Sequence, residues 1–215
     1  MISHKNKFVF LHIPKCAGTS IGEKLNFHFD ELWTYSGFKI HHDDLTEDIL
    51  KEYFVFTIVR NPWDRLYSQY KFRPWLNCDP FKDTVFNLEE KFEAAYNKSV
   101  RNIPEHINPV LDTAYNRANW FDEFIHIPSQ VEFLNGKYND NMKKISYIDY
   151  IGRFEDLDNS WKYICNKLNI EYSKLPHKNK SEYKELDYRK AYTTETREFV
   201  AKKYSDDIKL FNYEF

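Results

Sequence analysis

Short, dense apolar runs alternate with polar, turn-forming stretches along the chain. The first run, Phe8-Val9-Phe10-Leu11, predicts a buried strand over residues 7–12. A loop with Pro14, Lys15 and Gly18 follows, and then a helix-compatible stretch from about 19 to 29. The second run, Phe54 to Val59, is β-rich and apolar on both faces, the signature of a central parallel strand. After Arg60, Asn61 suits an N-cap and Pro62 a first helical position. In the helix that follows, Trp63, Leu66, Tyr67 and Tyr70 share one face, while Asn61, Asp64, Arg65 and Ser68 lie opposite. Further on, Gly37 marks a turn, residues 38–40 a short strand, and Asp44 with Glu47 a helix start. Residues 84–97 read as a helix, 147–151 as a strand, 156–169 as an amphipathic helix, and 194–213 as a helix near the end. Pro74, Trp75 and Pro80 close the helix after Pro62. This alternation of strands and helices predicts the α/β class, in one domain over residues 1–215, without repeats or linkers.

Composition narrows the function classes. The formal net charge of 215 residues is −2, so no global charge argues for nucleic acid or an acidic membrane surface. Any anion site must be local. The three cysteines, Cys16, Cys78 and Cys165, are scattered and show no metal spacing, which predicts a reducing compartment rather than a disulfide framework. No run is long and apolar enough for a membrane span, and residues 8–11 are too short for a signal peptide.

The chemistry concentrates where the first two strands end. A strand, a tight turn and a helix start leave backbone N–H groups unpaired at the positive end of a helix dipole, which suits a phosphate. The stretch His12-Ile13-Pro14-Lys15-Cys16-Ala17-Gly18-Thr19-Ser20 adds a cation and two hydroxyls. It fails the pattern of the nucleoside triphosphatases, because Lys15 precedes the glycine and the first glycine is missing. It resembles instead the 5′-phosphosulfate loop of the sulfotransferases that use 3′-phosphoadenosine 5′-phosphosulfate (PAPS), in the form of their carbohydrate-type branch. The spacing Arg60-x-Pro62-x-x-Arg65-x-x-Ser68 resembles the 3′-phosphate site of the same family. The resemblance implies a central parallel sheet flanked by helices, of P-loop-like topology. It implies that Pro14, Lys15, Cys16, Ala17, Gly18, Thr19 and Ser20 hold the 5′ side of PAPS, with Lys15 stabilising the leaving phosphate. It also implies that Arg60 and Ser68 hold the 3′-phosphate. The absence of an anchor points to a soluble, bacterial-type member acting in the cytoplasm.

Transfer of a sulfuryl group to a hydroxyl needs a base near neutral pH, for which histidine is suited. His41 and His42 follow the expected strand at 38–40, where open α/β sheets place functional groups. His42 is the favoured base and His41 the alternative. Residues 71–127, rich in aromatics, are the expected acceptor region, and a saccharide or glycan is the expected acceptor. Asp149 to Leu157, DYIGRFEDL, resembles a stretch that returns the chain to the sheet in carbohydrate sulfotransferases, and Gln130 fits the same pattern. Within it, Arg153 and Glu155 read as a structural pair. The basic run at 177–181 stands where the family covers the nucleotide, which implies roles for Lys180 and Ser181. No metal is expected, since no Walker-type acidic pair is present. Two other readings stay open: a kinase-like phosphotransferase, and a non-catalytic binder of nucleotide or glycan.

Overall fold

The computed structural model describes residues 1–25, 46–72, 80–88, 90, 128–135, 145–176 and 187–215. It divides into two compact units: Met1–Asn61 with Gln130–Glu182, and Pro62–Ser129 with Tyr183–Phe215. The expected strand at 38–40, His41, His42, Lys180, Ser181 and most of residues 71–127 lie outside the described residues.

The first unit carries the sheet. Its strands are β1 (Ile2–Ser3), β2 (Phe8–Leu11), β3 (Phe54–Val59) and β4 (Tyr150–Arg153), in that spatial order. β1 pairs antiparallel with β2, while β2, β3 and β4 run parallel. Val55 to Val59 are all buried, as a strand covered on both faces requires. Phe8, Phe10 and Phe56 form its aromatic centre, with Phe10 and Phe56 stacked at 4.9 Å. The one polar side chain of β3, Thr57, is buried and donates to the Leu11 carbonyl at 2.7 Å, so its hydroxyl is satisfied.

β4 starts three residues later than the sequence suggests. Ile145–Tyr147 form a turn of 3-10 helix instead. Asp149 sets the start: its backbone N–H donates to the Val55 carbonyl at 2.8 Å, and its carboxylate accepts from the Val55 N–H at 2.7 Å.

Helix α1 (Gly18–Leu25) follows β2. Helix α2 (Glu47–Glu52) precedes β3, and its N-cap is Thr46 rather than Asp44: the Thr46 hydroxyl accepts from the Ile49 N–H. Next among the described residues of this unit come helix α5 (Gln130–Leu134) and helix α6 (Leu157–Leu168). In α6 Trp161 and Ile164 are buried, as the periodicity predicts. α6 lies close on β4 because position 152 is glycine. A Cβ there would stand 2.5 Å from Ile58 Cδ1 and 2.9 Å from Ser160 Cβ. Ser160 Oγ uses this approach to accept from the Arg153 N–H at 3.0 Å.

Where β2 ends, His12 closes on α1. A Cβ at Gly18 would meet the His12 ring at 1.8 Å, so only glycine lets the ring lie there. Nδ1 of His12 is buried and makes no hydrogen bond. Burial, helped by the chain's amino-terminal charge and by Lys15, lowers the His12 pKa to about 3.

The described residues of the second unit are mainly helical. The unit contains α3 (Pro62–Phe72), α4 (Phe81–Phe86), α7 (Thr194–Lys203) and α8 (Ser205–Phe211). Its core joins Trp63, Leu66, Phe81, Val85, Leu88, Val200 and Tyr204. The helix expected over 194–213 breaks at Tyr204 into α7 and α8. Thr193 and Thr196 cap α7 reciprocally: the Thr193 hydroxyl accepts from the Thr196 N–H at 3.3 Å, and the Thr196 hydroxyl from the Thr193 N–H at 2.9 Å. α3 is buried more widely than its apolar stripe, since Arg65 and Gln69 are buried with Trp63 and Leu66. The Arg65 guanidinium is held by the Pro128 carbonyl at 2.8 Å.

Two measurements check this packing. Gly152→Ala forces β4 and α6 apart and lowers stability by about 1–3 kcal/mol. It shifts the urea midpoint at constant slope, and an unchanged midpoint would contradict the close approach. His12 is neutral when folded and has an ordinary pKa of 6.5 when unfolded, so below that pH the unfolded chain binds the extra proton. The stability contributed by neutral His12 is lost as pH falls from 6.5 towards 3. The stability difference between the native protein and His12→Phe therefore shrinks, by about 2 kcal/mol between pH 7.5 and 5. Urea unfolding of both proteins at the two pH values measures it, and a constant difference would refute the buried neutral ring.

Candidate functional site

The parallel register sets up the site. β3 and β4 pair through Val59 and Arg153, so the next residues of each strand, Arg60 with Phe154 and Asn61 with Glu155, leave the sheet side by side. β2 runs alongside, pairing Leu11 with Thr57, and its loop starts at the same edge.

The loop after β2 is tight. Lys15 and Ala17 have left-handed backbones, with φ of 68° and 62°, and Cys16 between them does not. Such alternation turns backbone N–H groups towards one side of a loop, making a concavity suited to an anion. The Cys16 N–H donates to Ile13 at 3.3 Å, and the Ile21 N–H to Ala17 at 3.1 Å. Helix geometry therefore leaves the N–H groups of Gly18, Thr19 and Ser20 without an intrahelical acceptor. Thr19 is half-buried and Ser20 buried. Pro14 and Cys16 are buried, and Lys15 is half-buried.

Arg60 ties the two motifs together. Its Nη1 donates to the Lys15 carbonyl at 2.9 Å, and its guanidinium lies 3.8 Å over the Phe154 ring. Its backbone is clamped by Gln130: the Arg60 N–H donates to Gln130 Oε1 at 2.8 Å, and Gln130 Nε2 donates to the Arg60 carbonyl at 2.8 Å. Gln130 Oε1 also accepts the Cys16 thiol at 3.5 Å. One residue on, the Asn61 N–H donates to Glu155 at 2.6 Å. The Arg60 guanidinium is thereby anchored to the backbone of the Lys15 loop, beside a helix start whose first N–H groups have no intrahelical acceptor. This donor set fits phosphate groups.

The structure brings together Pro14, Lys15, Cys16, Ala17, Gly18, Thr19, Ser20 and Arg60. Ser68 lies half-buried on α3 of the second unit. Three residues hold the junction more closely than their sequence context suggests. Gln130 is fully buried and joined to both motifs. Phe154 supports the guanidinium, and Glu155 serves the Asn61 backbone, a role beyond the structural pairing with Arg153 that the sequence suggests. The signal for Phe154 and Glu155 was the register: aligning the ends of the two parallel strands puts them opposite Arg60 and Asn61. Gln130 had no such signal, being 70 residues from Arg60. His12 is a further histidine at this edge.

Among the described residues, no cluster of three or more acidic, histidine or cysteine side chains could hold a metal ion, and no helix is long and apolar enough to cross a membrane. No curated protein and no solved structure matches the chain. The model of the sulfotransferase family matches residues 1–214, running through both units. The match supports sulfotransferase activity, and with it a transferase enzyme that takes an acceptor substrate. The α/β sheet with its loop after β2 agrees with that match, and this chain belongs to the sulfotransferase family.

Proposed function

We propose that the protein moves the sulfuryl group of PAPS to a hydroxyl of an acceptor, with a saccharide as the acceptor class. The observation that carries this reading is the Arg60 guanidinium, held 2.9 Å from the Lys15 carbonyl. It joins the loop suited to a 5′-phosphate to the strand end suited to a second phosphate.

In this reading, the loop from Pro14 to Ser20 binds the 5′ side of the donor through its N–H groups and the hydroxyls of Thr19 and Ser20. Lys15 offsets the charge that grows on the leaving phosphate oxygen. Arg60 pairs with the 3′-phosphate, and the motif adds Ser68 to the same role. Lys180 and Ser181 complete the nucleotide contacts. His42, or His41 in its place, takes the acceptor's proton as the oxygen attacks sulfur. His12 is not given that task, because a pKa of about 3 leaves it a weak base. No metal enters the scheme: Lys15, Arg60 and the helix-start donors supply the positive charge. The aromatic stretch between 71 and 127 is assigned to the acceptor, and the whole chain, 1–215, to one catalytic domain working in the cytoplasm.

Thermal unfolding with adenosine 3′,5′-bisphosphate, AMP and ATP–Mg²⁺ tests the donor. At a hundred times its dissociation constant, a ligand adds about 2.7 kcal/mol, or roughly 5–10 °C for a chain of this size. The bisphosphate alone should give that shift, and Arg60→Ala should remove it. An equal shift with ATP–Mg²⁺ would favour a phosphotransferase. In turnover assays with PAPS, Lys15→Ala should lower kcat roughly 100-fold or more, and chelation by EDTA should change nothing. His42→Ala should abolish turnover while bisphosphate binding persists; retained turnover would move the base to His41.

A further inference from the structure

We infer that Gln130 is a positioning residue for nucleotide recognition: its buried amide fixes the Arg60 peptide and so aims the guanidinium. This rests on the proposed reading of Arg60 as the 3′-phosphate ligand. Arg60 lies one residue beyond the last pair of the β3–β4 ladder, where neighbouring strands no longer hold its peptide. The Gln130 side chain takes their place. It pairs with the Arg60 N–H and carbonyl, both at 2.8 Å, as a facing residue of an antiparallel strand would. Its oxygen also accepts the Cys16 thiol, which spends both of its lone pairs inside the site.

The amide is fully buried, so water cannot replace these partners. The guanidinium that the peptide carries is fixed on two further sides, by the Lys15 carbonyl and the Phe154 ring. A rotation of the Arg60 peptide would break both contacts. Gln130 need not touch the nucleotide to act on it. It acts through Arg60 on the 3′-phosphate, while the Cys16 thiol holds the amide oxygen in place.

The test compares adenosine 3′,5′-bisphosphate with AMP, which lacks the 3′-phosphate, by calorimetry on folded protein. Gln130→Met keeps the length and loses both bonds to the peptide. Its affinity for the bisphosphate should fall roughly tenfold or more, with little change for AMP. A folded Gln130→Met with the native preference would overturn the inference. So would a loss shared equally by both ligands, since a merely structural residue would give that. A native protein with no preference for the bisphosphate would instead refute the reading of Arg60. Gln130→Glu covers the case of a variant too unstable to isolate. A neutral carboxyl has one donor and one acceptor, like the amide, whereas a carboxylate has acceptors only. Compared with the native protein at each pH, its bisphosphate preference should be weak at about pH 8 and recover on acidification towards about pH 5.5. Native-like preference across that range would overturn the inference.

Discussion

Three strands run the same way and stop at nearly the same level, and the rest of the site depends on that constraint. Parallel pairing fixes which residues leave the sheet together, so the ends of β2, β3 and β4 deliver the Lys15 loop, Arg60 and Phe154 to one edge. The constraint is enforced from below by apolar packing. Phe8, Phe10 and Phe56 fill the centre, and Gly152 admits Ser160 against the last strand. A register slip of one residue would turn every side chain of a strand to the other face. The stacked phenylalanines and the hydroxyl of Thr57, bonded to Leu11, oppose such a slip.

Above the sheet, polar bonds take over from apolar contact. The Gln130 amide and the Glu155 carboxylate satisfy backbone groups that the ending ladder leaves open, and the Lys15 carbonyl accepts from the Arg60 guanidinium. They come from three distant parts of the chain, so the edge is complete only when the first unit is folded. Charge is arranged in the same economical way. The chain as a whole is close to neutral, yet Lys15 and Arg60 are held together at one junction. A near-neutral chain can thus still carry a local pair of basic residues at this strand edge.

Much of this was legible in the residues. β3 was read at its observed bounds because an apolar run between polar flanks suits only a strand buried on both faces. α6 was read from its stripe of Leu157, Trp161, Ile164 and Leu168. The misses have physical causes. β4 starts late because the Asp149 carboxylate pairs with the Val55 backbone, a long-range bond with no local periodicity. The last helix breaks at Tyr204 although its residues are helix-compatible, and Tyr204 is buried in the core. Arg65 looked like part of a polar face, but tertiary packing buries it. Gln130 was legible only as a residue that fitted a pattern, because the partners of a buried amide are set by the fold and not by spacing.

The left-handed turns at Lys15 and Ala17 bear on how the loop meets an anion. Side chains with a Cβ resist that backbone region by about 1–2 kcal/mol each, so the surrounding structure must impose it. Glycine at either place would relieve the strain but release many more conformations in the unbound loop. With lysine and alanine there, fewer alternative shapes are open to the loop than glycine would allow. In the proposed reading, an anion that binds the turn in this shape would have little chain entropy left to remove.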